Sequence, residues 1–152
     1  MKIHFHEGDL PGGVDFGKSV AIDTETLGLN PLRDALCLAQ LSGGDGHCHV
    51  RFDRNSYKAP NLVRLLEDPD VVKIFHYARF DVAVFQRYLN VSTSPVWCTK
   101  LASRLVRTYT DRHGLKDLVK ELLDVDLSKQ QQSSDWGAAK LSDAQLAYAA
   151  SD

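Results

Sequence analysis

Residues 19–25 read Ser-Val-Ala-Ile-Asp-Thr-Glu, a short apolar run that ends on two carboxylates. Val20, Ala21 and Ile22 suffice for a buried strand. Residues two apart on a strand point to one side, so Asp23 and Glu25 converge. Neighbouring carboxylates repel unless a proton or a cation offsets the cost. Hard oxygen donors of this kind suit Mg²⁺ or Mn²⁺ rather than zinc. A strand that merely ends in polar loop residues carries the same letters, so the pair needs support from the rest of the chain.

The order of elements gives the frame. Leu36–Leu41 reads as a second strand, and Gly43-Gly44-Asp45-Gly46 turns the chain into a third over His47–Phe52. Short connections predict an antiparallel meander, with His4 and His6 alternating on an opening strand. Leu62, Leu65 and Leu66 mark a short helix, and Val71–Phe75 is another buried strand. Helical periods follow over Phe80–Leu89, Leu101–Val106 and Leu115–Leu123. Ser142 with Gln145 three residues on forms a capping box for a helix over Asp143–Asp152. Tyr148 and Asp152 then share one face of it. The predicted fold class is α/β, a mixed sheet with flanking helices. At 152 residues, with no internal repeat and no linker, the chain fits one domain.

Charge and composition narrow the classes of function. A net charge of −2 argues against a histone-like or operator-binding protein. The average hides a local +4 between Trp97 and Lys120 and a local −4 from Glu121 to Asp152. A basic stretch beside a carboxylate-rich one suits phosphates held near cations, although a solvated helix face would look the same. No apolar run approaches the ~18 residues of a membrane-spanning helix. The opening Met1–Leu10 is no signal peptide, so no membrane partner is expected. Cys37, Cys48 and Cys98, without close pairing, fit reduced thiols and a cytoplasmic setting. His47-Cys48-His49 lacks a second ligand pair for zinc and reads as two exposed strand histidines.

Two further acids complete a pattern. Asp81 opens the Phe80–Leu89 helix just after His76, and Asp152 follows Tyr148 by one helical turn. Carboxylates at a strand end, a helix start and a late helix are the parts of a two-metal phosphodiesterase site. Tyr148 would hold, or with cation assistance help deprotonate, the attacking water.

Three ordered motifs carry a family resemblance. They are Ala21-Ile22-Asp23-Thr24-Glu25-Thr26 with Gly28-Leu29, then His76-Tyr77-Ala78-Arg79-Phe80-Asp81, then Tyr148-Ala149-Ala150-Ser151-Asp152. With them the chain resembles the DEDD 3′–5′ exonucleases of the tyrosine-bearing branch, which have a ribonuclease H-like fold. Lys129 and Ser134-Asp135-Trp136 are similar to the ribonuclease D family within that branch. The resemblance implies two divalent cations, Mg²⁺ or Mn²⁺. It makes Asp23, Glu25 and Asp152 ligands on the nucleophile side, with Asp23 bridging to the second cation and Asp81 acting there through water. It also implies that Thr24, Leu27, His76 and Lys129 contact substrate, and that nucleoside 5′-monophosphates leave from a free 3′ end.

A closer likeness, to the compact alphaproteobacterial nanoRNase C enzymes, rests on residues 5–11, 108–114 and 127–136. It implies very short RNA, down to dinucleotides, as substrate, and a homo-oligomer in the form of a ring-shaped octamer. Two positions depart from the usual second motif: Tyr77 stands where Asn is common and Arg79 where Lys is common. Residues 1–152 are therefore expected to be a single exonuclease domain lacking its C-terminal part, because Asp152 falls inside a helix that has not ended. Trimming of longer RNA or DNA 3′ ends is the alternative, as is a catalytically silent nucleic-acid-binding module.

Overall fold

The structure, a computed structural model, describes residues 2–128 and 130–151. Its strands are β1 (Ile3–Glu7), β2 (Ser19–Thr26), β3 (Leu36–Ser42), β4 (His47–Arg51), β5 (Val72–Phe75) and β6 (Val96–Cys98). Its helices are α1 (Pro60–Glu67), α2 (Ala78–Leu89), α3 (Thr99–Val106), α4 (Leu115–Leu123) and α5 (Asp143–Ala149). The strands form one mixed sheet in the order β1-β4-β3-β2-β5-β6. The expected meander is present, since β2, β3 and β4 pair antiparallel. Parallel pairings extend it at both ends, β1 onto β4 on one side and β5 then β6 on the other. No described helix is long and apolar enough to cross a membrane.

Both sheet faces are covered, which is why β3 is buried at nearly every position rather than at alternate ones. On one face Val20, Ile22, Ala39, Leu41 and Val50 pack with Leu62 and Leu66 of α1 and with Val84 and Phe85 of α2. Pro60 at the first turn of α1 and leucines four apart fit a short helix that buries a single stripe. On the other face Cys37 and Leu38 pack with Trp136, Leu141, Tyr148 and Ala149. Strand β2 thus sends Val20, Ile22 and Thr24 to the first core and leaves Asp23 and Glu25 for the second face.

Two features escaped the sequence. Strand β6 has three residues, with Val96 and Trp97 exposed, too short and too open to leave a periodic signal. Lys73 of β5 is fully buried, and its ammonium donates to the carbonyls of Asp68, at 2.7 Å, and Ser94, at 2.5 Å. Burial holds its pKa below the ordinary lysine value.

Helix α5 and the segment that leads into it are fastened from several directions. Arg51 donates to the carbonyls of Ala139 and Ala138, each at 2.7 Å, and Arg54 donates to that of Gly137 at 3.1 Å. The capping box is present as expected, with Gln145 N–H donating to Ser142 Oγ at 3.2 Å and Ser142 N–H to Gln145 Oε1 at 2.9 Å. Two expectations fail here. His49 is not exposed but fully buried, because β1 continues the sheet beyond β4 and α5 covers this face. Its Nε2 lies 3.1 Å from the Leu146 carbonyl and donates to it. The helix also stops at Ala149 instead of running on to Asp152, and Ser151 Oγ donates back to the Tyr148 carbonyl at 2.7 Å. Ser142→Ala removes the cap and is expected to lower stability by about 1 kcal/mol, read from urea unfolding. An unchanged midpoint would mean that the side-chain anchors alone hold α5.

Candidate active site

A register shift between Glu25 and Thr26 breaks the ladder with β3 just past the acid pair. Irregularities of this kind re-aim side chains and end pairing. Beyond it Leu27 to Leu29 leave the sheet and, with Asp23, Glu25 and Tyr148, line a cavity of about 610 Å³. Tyr148 packs against Trp136 with ring centroids 6.1 Å apart, and Trp136 also lines the cavity. Directly across from Asp23 on β3 stands Gln40, whose amide donates to Asp23 Oδ2 and to Glu25 Oε1, each at 3.4 Å.

Asp81 is placed differently. It arrives from α2, on the opposite side of β2, and accepts a 2.7 Å hydrogen bond from the Thr24 hydroxyl. It is 2% exposed, so burial pushes its carboxyl up to about 7, against the pull of the Thr24 hydrogen bond toward lower values. Thr24 stands between the two groups: its side chain reaches Asp81 while the residue itself lines the cavity. The structure therefore gathers Asp23, Glu25 and Tyr148 around one space and sets Asp81 one residue behind its wall. Asp152 and Lys129 lie outside the described residues. Accordingly no three His, Cys, Asp or Glu among the described residues form a ready-made metal cluster.

The predicted substrate contacts Thr24, Leu27 and His76 all line the cavity. Leu27 is 49% exposed and leaves an apolar surface for a flat ligand at the cavity. His76 Nδ1 lies 3.0 Å from Thr99 Oγ1, and the Thr99 hydroxyl donates to the Phe75 carbonyl at 3.1 Å. Burial first, and the Lys100 ammonium next, hold the His76 pKa below its usual value, with the His113 carbonyl working the other way.

Sequence reasoning missed Gln40 and Thr99, and reached Lys100 and Lys116 only as members of a basic run. The first was findable from strand register, once Leu36–Leu41 is paired antiparallel with β2. Of the basic run between Lys100 and Lys120, only Lys100 and Lys116 line the cavity. Lys100 Nζ sits 4.5 Å from the Tyr77 ring centroid, a cation–π contact at the exposed edge. Arg107, within that basic run, is 6% exposed and pairs with Glu121 while donating to Ser103 Oγ and the Arg112 carbonyl. It ties α3 to α4 instead. Lys120 is occupied by Asp124 at 2.8 Å and Asp126 at 2.9 Å.

The family described as "3′–5′ exonuclease" matches residues 13–152. Ribonuclease D of Gluconacetobacter diazotrophicus is 37% identical over 133 residues, covering 88% of this chain and 34% of that protein. The chain thus spans about a third of the length of the curated relatives it matches. Among solved structures, Brucella melitensis NrnC with bound Mg²⁺ is 55% identical with a TM-score of 0.94, over 100% of this chain and 75% of that one. The same protein bound to pGG is 56% identical with a TM-score of 0.95, over 100% of this chain and 74% of that one. Escherichia coli RNase D, 27% identical with a TM-score of 0.77, covers 89% of this chain and 36% of that one.

Proposed function

This chain belongs to the 3′–5′ exonuclease family, in its ribonuclease D branch, and from that membership we propose that it hydrolyses very short RNA, down to dinucleotides, into nucleoside 5′-monophosphates. One observation carries the reading. Asp23 and Glu25 share a cavity with Tyr148, and among the described residues the cationic side chains of that cavity are Lys100 and Lys116. The donor set fits divalent cations: two hard carboxylates two residues apart, approached by an amide that offsets part of their mutual repulsion. Asp23 and Glu25 would hold the ions with Asp152, and Asp81 would act from behind Thr24. When bound, two such ions supply activation of the attacking water and charge neutralisation at the leaving oxygen.

The chain's own residues do the rest. Tyr148 orients the attacking water, and its packing on Trp136 fixes the ring from which it does so. Lys100 and Lys116 meet the phosphates, while Leu27, Phe80 and Trp136 offer apolar surface to the terminal base. His76 contacts the terminal nucleotide, with Thr99 fastening its imidazole from behind. Lys129 is assigned to the phosphates by resemblance. The pGG-bound Brucella melitensis relative supports a substrate of dinucleotide size. Residues 1–152 act as one exonuclease domain in this reading, in a cytoplasmic homo-octamer.

Turnover of a ribodinucleotide and of a longer RNA oligomer in Mg²⁺ tests the proposal. Hydrolysis of the dinucleotide at least as efficient as that of the longer chain is the expected result. Cleavage of the longer chain alone would instead mark an enzyme that trims RNA 3′ ends. No hydrolysis of either, in Mg²⁺ or Mn²⁺, would leave a silent binding module.

A further inference from the structure

We infer that Gln40 is a positioning residue for the acid pair, its amide holding Asp23 and Glu25 at the separation from which they bind a divalent cation. The inference rests on the exonuclease reading above and adds to it a residue outside the acidic set. Gln40 lies opposite Asp23 in the β2–β3 ladder, and next to His49 in the β3–β4 ladder. Asp23, Gln40 and His49 therefore form a row across three strands on the face covered by α5. At the far end of that row His49 donates to the Leu146 carbonyl of α5, two residues before Tyr148.

The amide chemistry fixes which way round Gln40 sits. Two carboxylates accept only, so the group between them must be the NH₂, which has two N–H donors, one for each acid. That orientation has a cost. Gln40 is 5% exposed and its Oε1 has no hydrogen-bond partner among the described residues. A buried carbonyl oxygen left unpaired is unfavourable, and an apolar side chain at this place in β3 would avoid it. On the same face of β3 the preceding neighbour, Leu38, is apolar and fully buried. A polar group kept where it is locally unfavourable is a mark of function rather than of folding. At 3.4 Å the two contacts are long and individually weak, so the amide steadies the carboxylates from the strand side as an outer partner of cation ligands does.

The test is direct binding of Mn²⁺ to the protein and to its Gln40→Leu and Gln40→Glu variants, followed by the electron paramagnetic resonance of free Mn²⁺. Loss of the amide in Gln40→Leu is expected to weaken Mn²⁺ binding by roughly ten- to a hundredfold, and to raise the Mg²⁺ needed for half-maximal hydrolysis while kcat largely recovers at saturation. Gln40→Glu keeps the shape but adds a third carboxylate. It should melt at a lower temperature without metal and gain more from Mn²⁺ than the unaltered protein does. It also keeps the inference testable if the leucine variant does not fold. Unchanged Mn²⁺ affinity in a folded Gln40→Leu, or a Gln40→Glu protein that melts and responds to Mn²⁺ like the original, would overturn the assignment. If the unaltered protein itself takes up no Mn²⁺, the exonuclease reading is what fails.

Discussion

Asp23→Asn is expected to lower kcat/KM for a ribodinucleotide in Mg²⁺ by roughly 10³-fold or more, about 4 kcal/mol of lost transition-state stabilisation. The change is isosteric, and the amide oxygen of the new residue can still accept from Gln40, so the strand and its cross-strand contact should persist. What disappears is one of the negative charges that face the cavity. Without metal the variant should therefore be no less stable than the original, because Glu25 no longer has a charged neighbour two residues away. With metal it should lose most of the Mg²⁺-dependent rise in melting temperature, since stabilisation by a ligand scales with its affinity for the folded state. Activity loss with retained fold and lost metal response is the expected triad. Hydrolysis that continues unchanged in Mg²⁺ would remove Asp23 from the chemistry.

How much of this was legible beforehand depends on whether the signal was local. The acid pair, the capping box at Ser142 and the meander from β2 to β4 are written in short windows, through alternation, turn residues and fixed offsets. The same holds for the motif carrying His76 and Asp81. Buried charge is another matter. Lys73 and Arg107 look like any surface cation until the carbonyls and carboxylate that satisfy them are brought near by the fold. His49 reads as exposed because the neighbour that buries it, α5, comes much later in the chain, as its bond to Leu146, 97 residues on, shows. The basic run from Lys100 to Lys120 illustrates the limit best. Summed charge pointed to the right region, yet only register and packing separate Lys100 and Lys116, which reach the cavity, from Arg107 and Lys120, which are spent on internal pairs. Asp81 was named correctly as a helix-start acid, but its approach from behind Thr24 needs both faces of the sheet.

That approach leads to the second large effect, on stability rather than turnover. Burial lifts the Asp81 carboxyl from about 3.8 to about 7 in the folded, metal-free protein. Below pH ~4 the group is protonated whether the chain is folded or not, and it contributes no pH dependence. Between pH ~4 and ~7 the unfolded chain releases the proton while the folded one keeps it, so stability must fall as pH rises, by about 4 kcal/mol over the interval. Above pH ~7 the full cost is present. Asp81→Asn carries no such charge and retains an oxygen for the Thr24 hydroxyl. In the presence of a chelator it should match the original protein near pH 4 and exceed its stability at pH 8, while losing activity in Mg²⁺. Urea unfolding of both proteins across this range measures it. Every other titrating group, His76 included, is common to the two, so the difference between their curves isolates residue 81. A difference that does not change with pH would mean that Asp81 ionises in the folded state as readily as in the unfolded one. A cation bound nearby should shrink the difference, because it favours the same ionised form that burial opposes. The instability of Asp81 without metal and its use with metal are then one property of a buried carboxylate, seen from two states.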